Sequence, residues 1–152
     1  MTSNSADAAG ATRDDVPMIG HTVRRWQAFL NADSDCGPTG LLADNVVFHS
    51  PILHRPQHGR EVVATYLTAA KQLLSGGSNQ HSRYTAALLS DNVAMLEFDT
   101  TIDNIYINGV DVINTNPAGQ IAVFKVFLRP LQAIELVHDR MHALLMSTKP
   151  GD

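Results

Sequence analysis

Three acidic side chains fall within one short stretch, VAMLEFDTTIDNIYINGVD from Val93 to Asp111: Glu97, Asp99 and, beyond a turn at Asp103-Asn104, Asp111. Carboxyl groups held close together raise one another's pKa, so one keeps its proton near neutral pH while another can accept one. Such a set can abstract a proton next to a carbonyl or assist the addition of water, provided that it shares an enclosure. In an extended chain successive side chains point to opposite faces. Val93, Met95, Glu97, Asp99 and Thr101 therefore point one way, and Leu96, Phe98 and Ile102 the other. The expectation is a hairpin with an acidic face shared by Glu97, Asp99 and Asp111, and an apolar face behind it. The alternative for Glu97 and Asp99 is a wetted strand face with cross-strand partners such as Lys125 or Arg83. Asp111 stands between Val110 and Val112, where a carboxyl group is paired, protonated or at a strand end.

That hairpin needs a frame. Asp15 reads as a helix N-cap with Pro17 in the first turn, and Ile19, Val23, Trp26 and Leu30 follow at helical spacing to about Asn31. After the turn-rich DSDCGPTG, Thr39 can cap a short helix through Ala43, and NVVFHS from Asn45 to Ser50 reads as a strand ended by Pro51. A broad apolar stripe from Val62 to Leu74 predicts a helix from Arg60, stopped by Ser75-Gly76-Gly77-Ser78. Strands are expected over Ser82–Leu89 and Ile121–Leu128, the second entered through the Asn116-Pro117-Ala118-Gly119 turn and stopped by Arg129-Pro130. A last helix runs from about Leu131 to Leu145. The order is α+β: a curved antiparallel sheet wrapped around helices, whose cone-shaped interior leaves a pocket for small molecules.

Residues 1–14 are small and polar, without apolar periodicity, and are expected to be a disordered tail. The folded unit is expected over residues 15–146, with residues 147–152 as a second tail. At 152 residues, 44% hydrophobic and 17% charged, the chain suits one core. A net charge of −4 without a Lys/Arg cluster leaves no footprint for nucleic acid or an acidic membrane surface. Cys36 is the sole cysteine, and neither a leader pattern nor a long apolar run is present, so a cytoplasmic setting is expected. No cofactor is indicated. His138 and His142 share a helix face, but no Glu completes a zincin motif and no third ligand is evident, so no metal is expected. Ser50 lacks a nucleophile-elbow context.

LLADNVVFHSP, HGREVVATYL, GVDVINTNPAGQI and FKVFLRPLQAI together resemble the superfamily of nuclear transport factor 2, ketosteroid isomerase, limonene epoxide hydrolase and the polyketide cyclases, over about Pro17 to Leu145. The resemblance to ketosteroid isomerase implies that Asp111 falls where that family keeps a protonated oxyanion-hole aspartic acid. Ser50 stands where the family has its general base and Trp26 where it has an oxyanion tyrosine. A serine is too weak a base to take a carbon-bound proton unaided, and an indole N–H is a donor only. Against the epoxide hydrolase pattern, Asp99 matches one catalytic Asp, while Glu97 takes the Arg position and Val126 that of the second Asp. The resemblance thus implies a cavity with Asp99, Asp111 and Glu97 as acids, walled by Trp26, Phe48, Ser50, Tyr66, Phe124, Val126 and Leu128.

Two readings follow. In one the protein is an isomerase or hydrolase acting on an apolar small molecule, with Asp99 or Glu97 as base and Asp111 as acid. In the other it is a non-catalytic module that binds a lipophilic ligand or dimerises. A homodimer is expected because Leu96, Phe98 and Ile102 would need covering if the acidic face lines the pocket.

Overall fold

The computed structural model describes residues 18–31, 37–75 and 82–148. The expected tail 1–14, the Asp15 cap, Pro17, the first half of DSDCGPTG, the Gly76-Gly77-Ser78 stop and residues 149–152 lie outside them. Helix α1 spans Met18–Asn31 and its apolar stripe buries Ile19, Val23, Trp26 and Phe29. A 3-10 turn, Pro38–Leu41, replaces the expected short helix, and strand β1 already begins at Leu42 and runs to His49. Proline early in the turn suits its fixed φ, while the chain after it is β-branched and aromatic. The two-residue strand β2, Gln57–His58, precedes helix α2, Arg60–Ser75. Strands β3 (Arg83–Ser90), β4 (Val93–Ile102), β5 (Ile105–Thr115) and β6 (Ile121–Arg129) follow, then helix α3, Leu131–Ser147, which takes in the first residue of the expected C-terminal tail.

The architecture is α+β, with an open, curved six-stranded sheet in the order β2-β1-β6-β5-β4-β3. The sheet is mixed rather than antiparallel throughout, because β1 runs parallel to β6. A parallel pair needs a long crossover, and here α2 and four strands intervene between the partners.

The β4–β5 hairpin closes on Asp103 and Asn104, with φ of 51° and 62°. Both central residues at positive φ make the tight two-residue connection that matches the twist of its strands. Ile102 then pairs with Ile105, and counting back puts Leu96 opposite Asp111, Glu97 opposite Val110 and Asp99 opposite Asn108. Side chains directly opposite share a face. Asp111 therefore lies on the Leu96 and Phe98 face, and Glu97 and Asp99 on the other. The expected common acidic face is corrected by this register.

The apolar face also needs no second copy to cover it, contrary to expectation: Leu96, Phe98 and Ile102 are buried by the chain's own elements. Two clusters form there. One gathers α1, β1 and the first part of α2 around Trp26, Phe48, Leu67 and Phe124; the other gathers α3 and the far ends of β4 and β5 around Ile102, Ile107, Val137 and Met141. Thr22 Oγ1 donates to the carbonyl of Gly119 at 2.7 Å and ties α1 to the β5–β6 turn.

Gly109 shapes the seam between the clusters. A Cβ there would lie 2.5 Å from Phe98 Cζ and 2.8 Å from Leu128 Cδ2, so both side chains lean over its bare backbone. Gly109→Ala must push them away, and overpacking of this kind costs about 1–3 kcal/mol. A lowered urea midpoint at unchanged slope is the expected result.

Candidate functional site

A cavity of about 420 Å³ opens between the helices and the inner sheet face, with walls taken from both clusters. Its polar end is built by three elements far apart in sequence. From α1, Trp26 Nε1 donates to Tyr84 Oη at 2.7 Å; from β3, Tyr84 Oη donates to Asp111 Oδ2 on β5 at 2.6 Å. An indole N–H can only donate, so the phenol oxygen accepts from it and passes its own proton towards the carboxyl group. Asp111 is 7% exposed. It interrupts a buried run on β5, with Ile107 and Gly109 on one side and Ile113 and Thr115 on the other.

Burial disfavours the charged form and pushes the Asp111 pKa up to about 7, against the lowering effect of the Tyr84 hydrogen bond. Burial first, then the neighbouring Asp111 charge, drive the Tyr84 phenol upward, and it stays protonated. The site therefore holds one carboxyl group able to exchange a proton near neutral pH, with Oδ2 occupied and Oδ1 without a protein partner among the described residues.

No protein-family model and no curated protein matches the sequence. Solved structures do. A steroid delta-isomerase from Pseudomonas aeruginosa matches with a TM-score of 0.78 and 25% identity, over 86% of this chain and 93% of that one. An uncharacterized cystatin-like-fold protein from Silicibacter pomeroyi matches with a TM-score of 0.74 and 29% identity, over 84% and 86%. The chain belongs to the nuclear transport factor 2-like superfamily. The fold is shared further by a ketosteroid isomerase-like protein from Catenulispora acidiphila, solved in complex with trimethylamine, at a TM-score of 0.54 and 15% identity, over 74% and 88%.

In this nuclear transport factor 2-like chain, Asp111, Trp26, Phe48, Ser50, Phe124, Val126 and Leu128 all line the cavity. Tyr66 does not; its half-buried ring backs Phe48, with centroids 6.0 Å apart. Glu97 and Asp99 stand outside, on the outer sheet face. Glu97 is exposed and its Oε1 accepts from Asn108 Nδ2 at 3.1 Å, while Asp99 Oδ1 accepts from Arg83 Nε at 3.2 Å. Ser50 Oγ accepts from the Ile52 backbone N–H at 3.3 Å, which leaves its hydroxyl proton free to turn towards the cavity.

The residue that sequence reasoning missed is Tyr84. Carried straight back from the Ser90–Val93 pair, the β3–β4 register would set it opposite Asp99 on the outer face. A bulge between Tyr84 and Ala86 shifts the register by one, puts Tyr84 opposite Phe98 and turns it inward.

The raised Asp111 pKa lies above its unfolded value, so its favourable contribution is present at low pH and is lost as pH rises from about 4 towards 7. At about 1.4 kcal/mol per pH unit, the interval from 3.8 to about 7 makes the penalty on the order of 4 kcal/mol at pH 8. Asp111→Asn keeps an acceptor for Tyr84 and cannot ionise. Urea unfolding should find it more stable than the wild type, with a clearly larger gain at pH 8 than at pH 5. Tyr84→Phe acts in the opposite sense. It strands the Trp26 N–H and removes the bond that favours ionised Asp111, at a cost of about 1–3 kcal/mol that should likewise be greater at pH 8.

Proposed function

We propose that the protein binds an apolar small molecule in the inner cavity, with the one polar group of that molecule set against Asp111. The observation that carries this reading is the buried carboxyl group in an otherwise largely apolar wall, held by Tyr84 and with its second oxygen unclaimed by the described residues. Protonated, Asp111 offers a hydrogen bond to a carbonyl oxygen; ionised, it accepts one or pairs with a cation. Cavities of this size and character suit small ligands, and the superfamily likeness to a steroid delta-isomerase points the same way.

The enzyme reading with Glu97 or Asp99 as base has no support in the geometry, since neither reaches the cavity. A catalytic version would use Asp111 itself, whose pKa of about 7 suits proton transfer near neutral pH. Binding alone requires less of the site, and the serine at the position of the family's general base favours it. Native mass spectrometry of the purified protein should show a retained small molecule, and Asp111→Asn or Trp26→Ala should reduce its occupancy. Full occupancy in both variants would refute a site centred on Asp111.

A homodimer remains the proposed assembly, now through the outer sheet face. Leu88, Met95 and Phe127 are 72%, 45% and 59% exposed there, and the pairings Leu88 with Met95, Met95 with Val112 and Val110 with Phe127 make one patch of them. Contiguous exposed apolar surface marks an interface. Sedimentation at micromolar concentration should show a dimer, and Phe127→Glu a monomer with its cavity intact. No helix among the described residues is long and apolar enough to cross a membrane. The cytoplasmic setting belongs to the same proposal.

A further inference from the structure

Among the described residues Asp111 has Tyr84 as its one hydrogen-bond partner, and none of the ion pairs there involves it. The other charged side chains that line the cavity are engaged elsewhere. The Lys71 ammonium lies 4.8 Å from the centroid of the Phe29 ring. Arg83 meets Asp99 on the outer face. Besides these, Tyr84 is the only titratable group in the described wall. A buried carboxylate is stable when it is paired, and here the counter-charge is left for the ligand to bring.

The rings around it form an unbroken arc. Phe48 lies 6.0 Å from Phe124, and Phe124 lies 4.9 Å from Trp26, between ring centroids. Trp26 is bonded to Tyr84, whose ring lies 6.3 Å from Phe98. All five rings line the cavity. Aromatic faces attract cations within about 6 Å of the centroid, most strongly where water is excluded. A series of rings with a single carboxyl group bonded to one of them combines two attractions for a positive charge whose own surface is greasy.

We propose that the ligand of this cavity is a lipophilic ammonium ion, a tertiary or quaternary amine whose charged end sits against Asp111 within the arc of rings. The proposal rests on the reading of the cavity as a small-molecule site and narrows it to one chemical class. The apolar substituents of the amine fill the aliphatic remainder of the wall, which includes Leu67, Ile107 and Val126. A neutral carbonyl compound would use the acid proton of Asp111 but leave the rings without a cation. The two classes therefore respond oppositely to pH.

The test compares benzyltrimethylammonium with neopentylbenzene, its uncharged isostere, by following the fluorescence of Trp26, the chain's one tryptophan. The quaternary cation keeps its charge at every pH, so any pH dependence comes from the protein. The expected result is binding at pH 8 at least about tenfold tighter for the cation, with the preference falling towards equality at pH 5, where Asp111 is protonated. Asp111→Asn at pH 8 should reduce the preference to the level the wild type shows at pH 5. Equal or tighter binding of neopentylbenzene at pH 8 would overturn the ammonium class and leave the small-molecule cavity standing. Failure of both compounds to bind would overturn the two together.

Discussion

A carboxyl group set in an apolar wall must be neutral, bonded or paired, and the structure around Asp111 is arranged by that requirement. Its partner is the Tyr84 phenol, and the phenol oxygen in turn satisfies the Trp26 indole. Two short bonds thus connect helix α1, strand β3 and strand β5, elements that have no neighbouring residues in sequence. Both bonds are part-buried, and the lower dielectric there strengthens them relative to bonds in open water. The same burial raises the Asp111 pKa to about 7. Stability is sacrificed at neutral pH to keep an ionisable group inside, which is a common mark of a working site rather than of a scaffold.

Around that chain of bonds the cavity is a seam. Neither core cluster fills the space between the helices and the inner sheet face, and the wall is drawn from both. Gly109 contributes by absence. The Phe98 ring and the Leu128 side chain occupy the room that a Cβ would take, so two wall residues sit lower on the sheet than any other residue at this position would allow. The outer face carries what the cavity excludes. Glu97, Asp99 and Arg83 are there in polar contacts with their neighbours, where water offsets most of their charge.

Much of the frame was legible in the residues themselves. Periodicity located helices α1, α2 and α3 and strands β3 to β6 close to their observed limits, because one-sided burial imposes a spacing that survives any tertiary context. The Asp103-Asn104 turn was legible too, since short polar residues tolerate the positive φ that a two-residue hairpin demands. Once that turn is granted, counting from it separates Asp111 from Glu97 and Asp99. The resemblance to known folds brought Trp26, Phe48, Ser50, Asp111, Phe124, Val126 and Leu128 to one place, and they do line one cavity.

Long-range pairing decided the rest. The parallel alignment of β1 with β6 depends on how a crossover packs, which no local pattern encodes. Alternation along β4 distinguished two faces but not which of them turns inward. That was settled by the helices, which cover the Leu96 and Phe98 side because burying it removes more apolar surface from water. Tyr84 reaches Asp111 through a bulge of one residue on β3, and a bulge reverses side-chain direction without altering composition or period on either side of it. Sequence alone thus determined which elements form and which residues are apolar enough to enclose a pocket. Only the tertiary structure decided which of three carboxyl groups lies inside it, because facing depends on strand register and register on contacts between distant segments.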